Sequence, residues 1–259
     1  MTILAIERSK KFKEFFDIVK DPRKIDFLVL HHVEANSVEH AIEQFEEHKV
    51  SAHFLIAEDG KIFELVEENN IAYHAGISFW KGVVGLNKCS IGIEFINSAP
   101  FEKEFMQQQM QSGLELCKYL IEKYAIENSN IVGHSDIAYY SDQIEDSAKH
   151  HLLDRKQDPS HLFDWKFLAE NGVGIYSKNS LEDWEDEMLF VLGNKDSKIS
   201  QIRKDLAKFG YKISNFSDEF DLEMQLLARV FNRRFNQSKF NSDADAWYLS
   251  SQKILDELL

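Results

Sequence analysis

His31, His134 and Asp158 each stand in a short context suited to a metal ligand. His31 lies in Phe27-Leu-Val-Leu-His-His-Val33, an apolar β-type run that ends in two histidines. His134 lies in Ile131-Val-Gly-His-Ser-Asp-Ile137, a second apolar run that delivers a histidine just before a turn. Asp158 lies in Asp154-Arg-Lys-Gln-Asp-Pro-Ser160, beside a proline that fixes the backbone and two residues after Lys156. Two imidazoles and one carboxylate fill three positions of a tetrahedral Zn²⁺ and leave the fourth for water, as a catalytic site requires. The chemistry this predicts is metal-assisted hydrolysis. His32 is a rival to His31, because alternation along a strand sends adjacent side chains to opposite faces and only one can reach the metal. A satisfied core role for His31, a turn role for His134 and a turn start at Asp158-Pro159 are the plain structural readings.

These groups need a scaffold, and the pattern of apolar residues supplies one. A charged lead-in over residues 1–24 carries Phe12, Phe15, Phe16 and Val19 at helical spacing and ends at Asp21-Pro22. After the 27–33 strand, Asn36-Ser37 caps a helix over about 37–48 with Val38, Ile42 and Phe45 on its apolar face. Ala52–Ala57 and Lys61–Val66 flank Glu58-Asp-Gly60, whose Asp-Gly step suits a tight hairpin. Ser90–Ile96 is a near-continuous apolar strand and so a buried, central one. Residues 103–125 give the longest helical pattern, and Leu162–Leu168 a further helix ended by Asn171-Gly172. The fold class is α/β: a central mixed β-sheet flanked by helices, with a small C-terminal all-helical domain. The domain reading is a catalytic domain over 1–177, a linker over 178–187, and a helical domain over 188–259 with two or three amphipathic helices.

The chain's 259 residues, 44% of them hydrophobic, can bury a sizeable core. No run reaches the roughly 18 apolar residues of a membrane span, and the N-terminus does not read as a secretory signal. A formal charge of −14 argues against nucleic acid as a partner, since that binding draws on clustered Lys and Arg. Cys89 and Cys117 are too few for a disulfide framework and read as reduced, buried residues. Glu94, closing Ile91-Gly-Ile-Glu94, is a carboxylate on an otherwise apolar strand; it needs a partner there, either an ion pair or a catalytic role.

Six segments together resemble the zinc-dependent N-acetylmuramoyl-L-alanine amidases of the AmpD and AmiD type, relatives of the peptidoglycan-recognition proteins. They are Leu28-Val-Leu-His31, Ser51-Ala-His-Phe-Leu-Ile56, Ala72-Tyr-His-Ala-Gly76, Leu86-Asn-Lys-Cys-Ser-Ile-Gly-Ile-Glu94, Val132-Gly-His-Ser-Asp-Ile-Ala138 and Arg155-Lys-Gln-Asp-Pro159, in family order over about 25–176. The resemblance implies one Zn²⁺ per chain on His31, His134 and Asp158, with the ligand at the first histidine of the pair. It implies Glu94 as general base toward the attacking water and Lys156 as the cation for the developing oxyanion. His74, Asn87 and Arg155 are then substrate-binding candidates, with Phe79-Trp80 available to stack on a sugar and His53 structural.

The implied reaction is hydrolysis of the amide between the lactyl group of N-acetylmuramic acid and L-alanine of the peptidoglycan stem, in wall turnover or recycling. The alternatives are a non-catalytic peptidoglycan-binding protein and a zinc hydrolase of another amide. The partners are peptidoglycan or muropeptide fragments, the chain a monomer by default, with 188–259 as a further peptidoglycan-binding candidate. Substrate and C-terminal unit favour the bacterial envelope or periplasm, and the N-terminus the cytoplasm. The sequence departs from the family pattern in its long separation of His134 from Asp158. The extra residues, Tyr139 to about Leu153, include His150 and His151 as rival ligands, and Ser160 replaces the usual glycine after the proline.

Overall fold

Two seven-residue apolar runs, 27–33 and 90–96, form the longest strands, and their parallel pairing is the axis of the fold. The computed structural model describes residues 5–8, 14–140, 154–178 and 186–259, the side chains of 241–243 excepted. The strands are β1 (Ile6–Arg8), β2 (Phe16–Asp17), β3 (Phe27–Val33), β4 (Phe54–Ile56), β5 (Ile62–Glu64), β6 (Ile71–Ala72), β7 (Phe79–Trp80), β8 (Val83–Val84), β9 (Ser90–Ile96), β10 (Ile131–Gly133), β11 (Met188–Phe190) and β12 (Trp247–Tyr248). The helices are α1 (Val38–His48), α2 (Gln107–Tyr124), α3 (His134–Ile137), α4 (Trp165–Glu170), α5 (Ser197–Phe209), α6 (Leu222–Phe235), α7 (Gln237–Asp243) and α8 (Leu249–Leu258). Among the described residues no helix is long and apolar enough to cross a membrane. The chain divides into two compact units, one of Met1–Gly76, Gly85–His134 and Asp158–Ile175, the other of Ile77–Val84, Ser135–Gln157 and Tyr176–Leu259.

The first unit is built on a mixed sheet of order β1-β5-β4-β9-β3-β10, antiparallel at β4–β5 and parallel at every other pair. Gly60, at φ 85°, makes the tight turn of the β4–β5 hairpin. Helix α1 begins as its sequence requires: the Ser37 side chain accepts from the His40 N–H, and Ala41, Ile42 and Phe45 join Val33, Leu55 and Ile96 in a buried cluster. Those sheet residues share a face with His31 and Glu94, since paired residues of parallel strands point the same way. Helix α2 covers the other face. Gly113 lets it approach so closely that a Cβ there would lie 2.6 Å from the Phe95 ring, and Gln109 Nε2 donates to the Ile56 and Ile96 carbonyls. His32 points to this side, edge-on to Phe101.

The helical lead-in is corrected. Its described part is extended: β1 pairs with β5, β2 pairs with β6, and Phe15 sits at φ 66°, which no α-helix accommodates. Sheet pairing and the Asn69 and Asn70 side chains, which accept from the Arg23 and Val19 N–H groups, outweigh the helical spacing of the aromatics.

The second unit is mostly helical. It contains four helices from residue 197 onward where two or three are expected, together with the β11–β12 pair. Its core is aromatic: the Phe231 ring packs at a tilt against both Phe235 and Trp247, and Trp80 packs edge-on against Phe209 and Tyr211. Gly210 lies under Trp80, where a Cβ would come within 2.8 Å of the indole. Trp80 is 1% exposed, so the sugar-stacking role is withdrawn for it. Two adjacent arginines of α6 each meet a buried carboxylate, Arg233 with Asp154 and Arg234 with Asp136. Asp136 thus serves as an ion-pair partner within this unit. Most of the linker span, residues 179–185, and most of the inserted span, 141–153 with His150 and His151, lie outside the described residues.

Candidate metal centre

Three adjacent parallel strands carry the site. The β10–β3 ladder ends with Gly133 beside Leu30; His134, the next residue, opens α3 at the end of the strand, and its ring lies 4.5 Å from that of His31. In the β3–β9 ladder His31 stands beside Glu94. Two imidazoles and a carboxylate therefore emerge on one face near the carboxyl ends of the strands, where open α/β sheets place their ligands.

Asp158 closes the group. Its Oδ2 lies 2.9 Å from His31 Nδ1 and 3.0 Å from His134 Nδ1. The ligand atoms of His31, His134 and Asp158 all lie within 4.8 Å of one another. Burial pushes the Asp158 carboxyl up, but the histidines, His134 first, outweigh it and hold the group well below the usual carboxylate range. Glu94 Oε1 lies 4.0 Å from His31 Nδ1, close enough to act on a group held at the centre.

The far nitrogens of both rings are engaged. His134 Nε2 donates to the Ala75 carbonyl at 3.2 Å, and His31 Nε2 meets His74 Nδ1 at 3.1 Å. His74 in turn places Nε2 3.1 Å from Ser90 Oγ, whose hydroxyl donates to the Leu86 carbonyl at 2.7 Å. Burial, then the neighbouring His31, lowers His74 well below the usual imidazole range. The set fits a small cation with a preference for nitrogen and oxygen donors: two imidazoles that turn Nδ1 toward one carboxylate oxygen, with Nε2 contacts that orient both rings.

Three residues read as substrate-binding have other work. His74 is buried, with both ring nitrogens used by the protein. Asn87 Oδ1 accepts from the His74 and Ala75 N–H groups at 3.2 and 2.7 Å, fixing the loop that carries them. Arg155 spends its guanidinium on the Tyr140 and Ile77 carbonyls of the second unit, which also contains Lys156. His53 is structural: Gly92 N–H donates to its Nδ1 at 3.0 Å, and Asn70 O and the Arg23 guanidinium sit at Nε2. Burial, then the Arg23 charge, lowers His53 to about 3. Arg23, Ser90 and the Ala75 carbonyl were not singled out from sequence. A glycine alternating with Ser90 and Glu94 on a buried strand is the signal available, because it marks a close approach.

The sequence profile described as N-acetylmuramoyl-L-alanine amidase (Amidase_2) matches residues 21–161. N-acetylmuramoyl-L-alanine amidase AmiD of Escherichia coli is 30% identical over 257 residues, covering 91% of this chain and 83% of that protein. The 1,6-anhydro-N-acetylmuramyl-L-alanine amidase AmpD of Haemophilus influenzae is 38% identical over 119 residues, 46% of this chain and 56% of that one. A solved structure of the E. coli AmiD with anhydro-N-acetylmuramic acid-L-Ala-D-gamma-Glu-L-Lys superposes with a TM-score of 0.69 at 27% identity, covering 94% of this chain and 91% of that one. With the family profile matching more than half of the chain and a relative 30% identical over 91% of it, the chain belongs to the N-acetylmuramoyl-L-alanine amidase family.

Proposed function

We propose that this chain hydrolyses the amide between the lactyl group of N-acetylmuramic acid and the L-alanine of the stem peptide, with one Zn²⁺ held by His31 Nδ1, His134 Nδ1 and the Asp158 carboxylate. The observation that carries the reading is the convergence of these three donors, both imidazoles with Nε2 already engaged. Zinc in such a set supplies Lewis acidity, polarising a carbonyl and making water a nucleophile near neutral pH.

The remaining chemistry belongs to the chain. Glu94, on the neighbouring strand and beside His31 in register, accepts the proton of the attacking water and returns it to the leaving amine. Lys156, two residues before Asp158 in the sequence, offers its cation to the oxyanion. The substrates are muropeptides, including 1,6-anhydro forms; the complex of the AmiD relative supports this choice. The compartment proposed is the bacterial envelope, and residues 188–259 are proposed to bind the wall.

The test is mass spectrometry of a defined anhydromuramyl tripeptide incubated with the protein, with chelator and then with zinc restored. Chelator-sensitive release of a peptide beginning at L-alanine is expected, and no release from His134→Ala, which also loses zinc. Cleavage by His134→Ala at the wild-type rate would overturn the assignment.

A further inference from the structure

The chain leaves the first compact unit after His134 and returns to it at Asp158, so two of the three proposed ligands stand at the ends of one excursion, Ser135–Gln157. Long loops hold their ends together less well than short ones. Neither end is self-supporting: α3 is a single turn, too short to be stable alone, and residues 154–157 belong to no helix or strand. The two stretches are tied to each other, since the Arg155 N–H donates to the Tyr139 carbonyl at 3.4 Å and Arg155 Nε to the Tyr140 carbonyl at 3.1 Å. Both are also tied to α6, by consecutive residues. Arg234 donates to Asp136 Oδ2, two positions after His134, and the Tyr211 hydroxyl donates to Asp136 Oδ1 at 3.5 Å. Arg233 donates to Asp154 Oδ2 and, at 3.4 Å, to the carbonyl of Lys156, two positions before Asp158. All four charged side chains of these pairs are buried.

Stability alone does not account for two buried ion pairs side by side. Desolvation offsets most of their attraction, and apolar side chains of similar volume hold a fold as well or better. What the pairs add is direction, because a guanidinium fork meets its acceptors only in fixed orientations. We propose that Arg233 and Arg234 are positioning residues for the metal centre. Arg234 clamps the turn that opens with His134, and Arg233 clamps the backbone that carries Lys156 and leads to Asp158. Held at its neck by one helix, the excursion delivers both ligands in fixed places despite its length. This inference rests on His134 and Asp158 being metal ligands.

The experiment compares wild type with two kinds of variant and with His134→Ala. Arg233→Lys and Arg234→Lys keep the charge and lose the fork; Arg233→Met/Asp154→Leu and Arg234→Met/Asp136→Leu remove both charges of a pair at once. Thermal melts report folding, competition with a chelating dye reads zinc affinity, and the visible spectrum of Co²⁺ bound in place of zinc reports the geometry of its ligands. The paired variants should melt no lower than wild type. They should nevertheless bind zinc about 10- to 100-fold more weakly, as when groups that orient a metal's ligands are lost, and show an altered cobalt spectrum. The lysine variants should weaken zinc binding in the same direction, and they carry the test alone should a paired variant fail to fold. A role in stability only predicts wild-type zinc affinity and cobalt spectrum in every variant that folds, and that result would overturn the clamp. Equal zinc binding by His134→Ala and wild type would instead overturn the ligand reading beneath it.

Discussion

Gly92→Ala is the smallest change that should reach the metal centre without touching a ligand. Gly92 does not sit at positive φ, so the backbone accepts alanine and the whole effect is steric. The added Cβ would lie 2.4 Å from Cγ, 2.6 Å from Nδ1 and 2.7 Å from Cδ2 of His74. Carbon atoms in contact settle near 3.5 Å, so the ring must retreat by about 1 Å. It is not the far end of a flexible chain: Ser90 holds one nitrogen at 3.1 Å, His31 the other at 3.1 Å, and Asn87 the backbone. A 1 Å displacement takes a 3.1 Å contact past the limit of a hydrogen bond, so at least one of the two ring bonds must break. Overpacking of this kind costs about 1–3 kcal/mol. In a chain of this size that lowers Tm by roughly 2–4 °C per kcal/mol. Thermal melts without metal read that loss, and dye competition should show weaker zinc binding. Wild-type Tm together with wild-type zinc affinity would refute the seating of His74 on Gly92.

Glu94→Gln keeps size and removes the base; kcat should fall by about 10²–10⁴ with zinc affinity nearly unchanged, and an active variant would exclude Glu94 as the proton acceptor. His53 should shape the acid limb of stability, because the fold keeps it neutral down to about pH 3 while the unfolded chain takes up its proton near 6.5. The contribution is complete above pH 6.5 and is lost as pH falls toward 3, about 3 kcal/mol by pH 4.5. Denaturation across this window should give a flatter slope for His53→Gln, and an unchanged slope would contradict the assignment. Asp136→Ala leaves the buried Arg234 without its principal carboxylate and should destabilise the protein by about 3–5 kcal/mol; a melt within 1 °C of wild type would disprove the pairing.

The sheet was readable because burial on both faces writes itself into the chain: 27–33 and 90–96 are apolar almost throughout, and only a central parallel strand needs that. Helix α1 was readable from Ser37, whose hydroxyl caps it, and the β4–β5 turn from Asp59-Gly60. The lead-in was not. Phe12, Phe15, Phe16 and Val19 keep helical spacing, yet what decides the described parts of the lead-in, residues 6–8 and 16–17, is pairing with β5 and β6, dozens of residues away. Local periodicity holds no information about such partners. The same limit applies to His31 and Glu94, whose adjacency is a matter of register between strands 63 positions apart.

Residue type alone cannot separate ligand from scaffold here, because four buried histidines crowd one region. The His31 ring lies 4.5 Å from His134 and 5.2 Å from His74, which lies 5.5 Å from His53. What distinguishes them is the use of their lone pairs. His53 accepts from Gly92 through Nδ1 and places Nε2 against Asn70 O and Arg23; His74 spends one nitrogen on Ser90 and the other on His31. His31 and His134 spend Nε2 on the protein and turn Nδ1 to the same carboxylate oxygen. In the proposed zinc site the second pair would ligate through Nδ1 and the first would hold it in place. The distinction depends on Leu86, Ala75, Asn70 and Gly92 backbone groups, which carry no signature in a sequence, and it is why a motif can name the histidines but only the fold can divide their labour.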